Sequence, residues 1–193
     1  MSTKTLLTTE QFERLSEPEV GSYELDQGEL IYVSPNDLRH NRVRDRLYIP
    51  LREFAARQGL GEATAETLFE FGPGTVRAPD IAFMAAAQIR NVDPHGVLRV
   101  VPQLVVEVVS PGNTSNEMTR KIELYKNAGV NAIWVLDPVV EKAELHQGNS
   151  VRTLSGDDTL SDPQILPGFS ILLSSLFRMS GRRIICGDLA GPL

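Results

Sequence analysis

The sequence has a single cysteine and no long apolar run among its 193 residues. Cys186 cannot form an internal disulfide, and alone it cannot build a thiolate zinc site. The densest apolar stretch, residues 104–109, is interrupted by Glu107, and no segment reaches the roughly 20 apolar residues that a membrane helix needs. The amino terminus also lacks the apolar segment of a signal peptide. These absences exclude a disulfide framework and predict a cytoplasmic protein without a membrane partner.

The sequence also has fewer basic than acidic residues. The chain has 19 Lys and Arg residues against 25 Asp and Glu, which gives a net charge of −6. This balance argues against a protein whose main task is to coat nucleic acid, because phosphate binding leaves a basic footprint. It does not exclude a nuclease, since local charge at a cleft can oppose the global balance. The acidic residues can themselves be hard metal ligands.

No repeat, low-complexity tract or linker divides the chain, so we predict one domain over residues 1–193. Its core covers about residues 7–177, and a weakly patterned tail follows at 178–193. Helical spacing predicts a long helix from Asn36 or Asp37 to Gly59, which Pro50 should kink or split. A strand, a helix and a strand over residues 103–136 predict a right-handed parallel crossover. The predicted fold class is mixed α/β, with a central mixed sheet flanked by helices.

Two carboxylates interrupt apolar segments that are predicted to be strands. Asp80 lies in the second arm of a hairpin predicted over residues 62–71 and 76–84, and Glu107 lies in the valine-rich strand 103–109. A buried carboxylate is costly unless it is paired, hydrogen-bonded or metal-bound. For one such residue, a salt bridge or a strand end that reaches water is the more common explanation. Two of them on adjacent strands favour a divalent-metal site.

Lys121 lies on the inward face of the helix predicted over residues 115–128, three residues after Met118 and four before Tyr125. An inward lysine needs a carboxylate partner or must extend its ammonium to the rim. A surface ion pair with Glu117, one turn earlier, is the simple alternative. Because Asp80 and Glu107 are also predicted to be buried, we prefer the interpretation that Lys121 belongs to the same site.

The long helix carries a histidine and an excess of arginine. His40 precedes Val43 by three residues and Leu47 by seven, so it joins the core-facing stripe near the start of the helix. It is either a satisfied core histidine or a site residue, and both interpretations stay open. Six arginines against three acids leave an excess of three positive charges on this helix: Arg39, Arg42, Arg44, Arg46, Arg52 and Arg57 against Asp37, Asp45 and Glu53. A solvated face is the default interpretation. A contact with the DNA backbone at the mouth of a cleft is the functional one.

Several short motifs occur in a fixed order along the chain. They are Pro79-Asp80, Glu107-Val108-Val109-Ser110-Pro111, Lys121, Tyr125, Ala128-Gly129-Val130 and Trp134 through Asp137-Pro138. Upstream are Tyr23-Glu24-Leu25, Gly28-Glu29-Leu30, Ser34-Pro35 and His40, and downstream is Pro167-Gly168-Phe169. This series resembles the Uma-type family of "putative restriction endonucleases", within the PD-(D/E)XK nuclease superfamily, over about residues 7–177.

The resemblance implies a restriction-endonuclease-like core and metal-dependent hydrolysis of phosphodiester bonds in DNA. Asp80 and Glu107, with the carbonyl of Val108, would bind Mg²⁺ or Mn²⁺, which prefer oxygen ligands. Catalysis would fall to Asp80, Glu107, Lys121 and His40. Glu29 matches the family's Gly-Glu pattern and is either an auxiliary carboxylate or a polar hairpin edge.

The chain departs from the superfamily at the position of the lysine. The superfamily usually has lysine two residues after the glutamate, where this chain has Val109. The resemblance implies that the lysine has moved to the following helix, which Lys121 matches. Glu117 stands where the family more often has Asp.

Two other functions stay open at this point. One is a catalytically inactive nuclease-fold interaction module, and the other is a metal-dependent hydrolase of a small phosphoester. The presence of all three residues of the predicted trio argues for an enzyme. DNA is the expected partner, and a homodimer is left open. No element that reads bases can be identified, so no recognition sequence is predicted.

Overall fold

A computed structural model describes residues 6–90, 92–110, 112 and 114–178, so the predicted tail after residue 178 lies outside the described residues. The helices are α1 (Thr9–Phe12), α2 (Leu38–Gln58), α3 (Ala86–Ile89), α4 (Ser115–Ala128) and α5 (Leu173–Phe177). The first strands are β1 (Ser22–Asp26), β2 (Glu29–Val33), β3 (Gly61–Thr64), β4 (Phe69–Gly72), β5 (Thr75–Arg77) and β6 (Ile81–Ala85). The later strands are β7 (Leu104–Val108), β8 (Ala132–Asp137), β9 (Lys142–Gln147), β10 (Ser150–Ser155), β11 (Thr159–Leu160) and β12 (Ile171–Leu172). Among the described helices, none has the length and apolar character to span a bilayer.

A six-stranded mixed sheet forms the centre of the fold, in the order β10-β9-β8-β7-β6-β3. β7 and β8 are parallel and α4 connects them, which confirms the predicted parallel pairing, while the other neighbours are antiparallel. All five residues of β7 are buried because each face of the strand is covered. Val106 packs in the cluster that contains the apolar face of α2, and Val105 packs in the cluster that contains Tyr125 of α4. The predicted mixed α/β fold is confirmed.

α2 has the bounds that its local sequence predicts. The Asp37 side chain caps its first turn by accepting the His40 N–H at 2.8 Å, and Gly59 ends it with φ +63°. The predicted split at Pro50 does not occur, because the helix continues through that residue. A proline removes one helical hydrogen bond, but the buried side chains before and after it hold both halves on the sheet: Val43, Leu47, Leu51 and Ala55.

The predicted hairpin over residues 62–71 and 76–84 is confirmed in a single register, from Glu62 opposite Met84 to Glu70 opposite Val76, but its two halves lie in different sheets. β3 pairs with β6 in the central sheet, whereas β4 pairs with β5 in a four-stranded sheet of order β2-β1-β5-β4. Residues 78–80 belong to neither strand, since Pro79 has no N–H to donate to a ladder. Asp80 therefore precedes β6 instead of lying inside it.

Candidate active site

The antiparallel pairing of β6 and β7 determines where the two buried carboxylates lie. Ile81 is opposite Val106, so one further step along this register brings Asp80 opposite Glu107 on the same face. Both residues line a cleft of about 840 Å³. Val108, His40 and Lys121 line the same cleft, so the structure brings together the five residues to which the sequence analysis gave a catalytic or metal-binding role.

Asp80 is 6% exposed, and protein donors hold both of its carboxylate oxygens. Oδ2 accepts the Val108 backbone N–H at 2.6 Å, and Oδ1 lies 2.9 Å from His40 Nε2. The other ring nitrogen of His40 lies 2.8 Å from Ser110 Oγ, which hydrogen-bonds to Asn36 at 3.1 Å. His40 is thus a buried histidine whose partners fix its ring against Asp80, and it joins the site through that carboxylate.

Glu107 is more deeply buried, at 3% exposure. Its Oε1 accepts the Tyr125 hydroxyl at 2.5 Å, and its Oε2 accepts the Lys121 ammonium at 2.9 Å. Burial raises the pKa of the Glu107 carboxyl, Lys121 lowers it, and the nearby charge of Asp80 raises it further. The two carboxylates therefore repel each other in a buried site, which is the electrostatic situation that a cation relieves.

Lys121 crosses from α4 to the sheet, and its side chain is 26% exposed. Burial by itself lowers the pKa of the ammonium, but Glu107, Glu24 and Asp80 raise it above its ordinary value. Lys121 is therefore a cation at neutral pH. The alternative surface pair with Glu117 is not formed, because the Glu117 carboxylate instead accepts the Thr114 N–H at 2.8 Å in a capping box.

Two further side chains belong to the site and were not predicted to do so. Tyr125 holds Glu107, and its place one turn after Lys121 on the inward face of the helix is the signal that could have indicated this. Glu24 of β1 is 5% exposed and lines the cleft. Strict alternation about the buried Leu25 predicts the solvent face for Glu24. The groups that hold Glu24 are Arg77 and the Ala78 N–H, and no pattern within β1 reveals them. Glu29 is exposed on β2, opposite Asp26.

The arginines of α2 have different environments. Arg44 lines the cleft and pairs with Asp45 at 2.9 Å and with Glu66 at 2.5 Å. Arg39 is exposed and donates to the Pro138 carbonyl, in the turn after β8. Arg42 is exposed in the next turn of the helix. The first half of α2 therefore brings positive charge to the surface next to His40.

The donor chemistry fits a hard divalent cation. In the part of the chain that the structure describes, no group of three or more His, Cys, Asp or Glu side chains is arranged to hold a metal. Mg²⁺ does not need such a group, because it usually takes one or two carboxylates and completes its shell with water and phosphate oxygens. Each oxygen of Asp80 and Glu107 accepts one hydrogen bond in the structure, and a carboxylate has about four acceptor positions. Both side chains can thus bind a cation while they keep their present partners.

Comparison with solved structures supports the fold. The chain is similar to "a putative nuclease belonging to DUF820" from Anabaena variabilis ATCC 29413, with a TM-score of 0.77 and 19% identity, over 89% of this chain and 97% of that one. A DrdV–DNA complex gives a TM-score of only 0.41 at 19% identity, over 72% of this chain and 12% of that one, and carries no argument. None of the curated proteins matches the sequence.

The family match extends over most of the chain and not only over the residues of the site. The profile of the Uma2 family, described as "Putative restriction endonuclease", matches residues 9–174. This range covers the two arms that bend between the sheets, the whole of β7 and the whole of α4. It therefore includes every residue of the cleft described above, and the match supports a nuclease function. Because the match extends over most of the sequence, the chain belongs to the Uma2 family.

Proposed function

We propose that this protein is a metal-dependent endonuclease that hydrolyses phosphodiester bonds in DNA. The observation that supports this most strongly is the convergence of Asp80, Glu107 and Lys121 in one cleft of a chain that belongs to a nuclease family. A structural salt bridge would account for Glu107 and Lys121 alone. It does not account for a second buried carboxylate across the ladder, whose charge raises the pKa of the first.

The carboxylates of Asp80 and Glu107, with the carbonyl of Val108, would hold the Mg²⁺ or Mn²⁺ ion. When bound, the ion would lower the pKa of a water molecule and offset negative charge on the scissile phosphate. The protein fixes its own ligands in advance: the Val108 N–H and His40 hold Asp80, and the Tyr125 hydroxyl holds Glu107. Such supporting contacts fix the orientation of ligand side chains.

Lys121 would act on the phosphate and on the attacking water. Its ammonium has three donors, of which Glu107 takes one at 2.9 Å. The remaining donors can orient the water and stabilise the charge that builds on the phosphate oxygens in the transition state. Because its pKa is raised, Lys121 fits the role of a fixed cation better than that of a base.

A cleavage assay with two substrates tests the proposal. Supercoiled plasmid and single-stranded DNA are incubated with the protein in Mg²⁺, in Mn²⁺ and in EDTA, and the products are separated by gel electrophoresis. We expect nicked or shortened DNA with at least one ion and none in EDTA. If neither DNA is cleaved, bis(p-nitrophenyl) phosphate is tested as a third substrate, and failure to hydrolyse it as well would favour the inactive interaction module. Hydrolysis of bis(p-nitrophenyl) phosphate without DNA cleavage would favour the small-phosphoester hydrolase.

We expect DNA affinity to depend on the first half of α2. The double substitution Arg39→Ala, Arg42→Ala should weaken DNA binding and reduce the slope of log Kd against log salt by about 1 to 2, because each lost phosphate contact releases about one counterion fewer. Fluorescence anisotropy without divalent metal measures this while no cleavage occurs.

The matched control is Arg52→Ala, Arg57→Ala, at the other end of the same helix. Each double variant removes two exposed arginines, so the change in net charge is the same in both. If the salt slope of Arg39→Ala, Arg42→Ala equals that of the wild type, these arginines form only a solvated face.

A further inference from the structure

Glu24 is a buried carboxylate that reaches the cleft from the four-stranded sheet. Both of its oxygens are engaged: Oε1 accepts the Ala78 backbone N–H at 3.0 Å, and Oε2 accepts Nη1 of Arg77 at 3.2 Å. Glu24 and Lys121 both line the main cleft and also a second cavity of about 920 Å³. The Ala78 N–H that Glu24 accepts lies two residues before Asp80 in the chain.

The backbone that Glu24 holds has no strand partner of its own. β5 ends at Arg77 and β6 begins at Ile81, so residues 78–80 cross from one sheet to the other outside both strands. Within this crossing, Glu24 holds the Ala78 N–H, and the Pro79 carbonyl accepts the N–H of Glu66 at 3.1 Å. At Ala78 a side-chain carboxylate therefore takes the place of a strand partner, and it helps to determine where the crossing segment lies.

Arg77 stabilises the buried negative charge of Glu24. It is 8% exposed, and it pairs with Glu24 and also with Asp26, through Nη2 at 3.2 Å. A buried carboxylate needs such a partner. Glu24 and Asp26 thus share one ionic partner, Arg77. Only Glu24 also accepts the Ala78 N–H.

We propose that Glu24 is a positioning residue for Asp80, acting through its hydrogen bond to the Ala78 N–H. The structure joins Glu24, Ala78, Asp80 and the Val108 N–H in one continuous chain of contacts across both sheets. The importance of this chain for catalysis rests on the proposed function, while the positioning itself does not.

Two conservative variants separate the hydrogen bond from the charge. Glu24→Gln keeps an acceptor oxygen at the same reach but loses the charge, and Arg77 keeps Asp26. Glu24→Asp keeps the charge but is one methylene shorter, so it withdraws from the Ala78 N–H. Asp26→Asn is the control, because it weakens the pairing of Arg77 and leaves the Glu24–Ala78 contact in place.

The first measurement is the ¹H–¹⁵N resonance of the Val108 amide in the metal-free protein, since this N–H donates to Asp80 at 2.6 Å. We expect the resonance to shift in Glu24→Asp and to stay near its wild-type position in Glu24→Gln and Asp26→Asn. The second measurement is Mn²⁺ binding by calorimetry. Glu24→Asp should raise the Kd by roughly 10- to 100-fold, as substitutions behind metal ligands do, and the other two variants should change it little.

The outcomes distinguish this inference from the proposed function. Wild-type behaviour of Glu24→Asp, equal impairment of Glu24→Gln, or failure of Glu24→Asp to fold would overturn the positioning role. Absence of Mn²⁺ binding in the wild-type protein would count against the proposed function instead, and the Val108 resonance would still decide the position of Asp80.

Discussion

Replacing Asp80 by asparagine should lower DNA cleavage by about a thousandfold or more. The substitution removes one of the two carboxylates proposed to hold the metal, whose contribution to the transition state is several kcal/mol, and each 1.36 kcal/mol is tenfold in rate. An asparagine oxygen can still accept the Val108 N–H that Asp80 now accepts at 2.6 Å, so the fold should persist. Alanine would leave that buried N–H without a partner, at a cost of about 1–3 kcal/mol. Asp80→Asn therefore tests the role of the carboxylate in cleavage without the loss of stability expected for Asp80→Ala.

Single-turnover cleavage rates and Mn²⁺ calorimetry should both register the loss in Asp80→Asn. The matched control is Asp162→Asn, which neutralises another buried carboxylate, one that accepts the Gln164 N–H at 3.0 Å. Asp162 does not line the cleft, so the control should retain cleavage and metal binding. If Asp80→Asn cleaves DNA at the wild-type rate, Asp80 does not hold the metal.

Lys121→Met should lower cleavage by roughly 10²–10³-fold, which is the usual effect of removing one transition-state donor. Methionine keeps an apolar stem of similar length and removes the ammonium that lies 2.9 Å from Glu107. Metal binding should persist, because both carboxylates remain. Lys121→Arg should recover part of the rate if the positive charge is what the reaction needs. Lys126→Met makes the same chemical change at an exposed position of α4 and should leave the rate unchanged.

The stability of Lys121→Met should depend on pH in a defined direction. Burial raises the pKa of Glu107, and Lys121 opposes that effect, so the pKa rises further once the ammonium is gone. Below the ordinary glutamate pKa of 4.5, Glu107 is protonated in both the folded and the unfolded chain and costs little. As the pH rises above that value, only the unfolded chain ionises freely, and the folded state loses stability. The difference in unfolding free energy between wild type and variant should therefore widen from pH 4 to pH 7.

Urea titrations across this pH range measure the difference directly. Bound Mn²⁺ should narrow it at neutral pH, because a cation beside Glu107 replaces the missing positive charge. A difference that stays constant with pH, together with wild-type cleavage, would show that Lys121 is not part of the site.

The sequence by itself determines the two long helices of this protein closely. Asp37 and Gly59 bound α2, and the Thr114 cap and Gly129 bound α4, because capping and helical spacing act within one or two turns of the chain. The same local pattern gives the inward face of α4 and so the direction of Lys121. The motif order also identifies the family, since motifs are properties of the sequence itself.

Only the tertiary structure decides which side chains meet. The bend of both hairpin arms, the position of Asp80 before β6 and the pairing of Lys121 with Glu107 instead of Glu117 all depend on segments that are distant in sequence. The continuity of α2 at Pro50 has the same origin, because packing against the sheet outweighs the lost hydrogen bond. Glu24 is buried at the wall of the cleft because Arg77 and the Ala78 N–H, from another part of the chain, hold its carboxylate. Burial depends on what covers a strand, and no pattern within the strand itself contains that information.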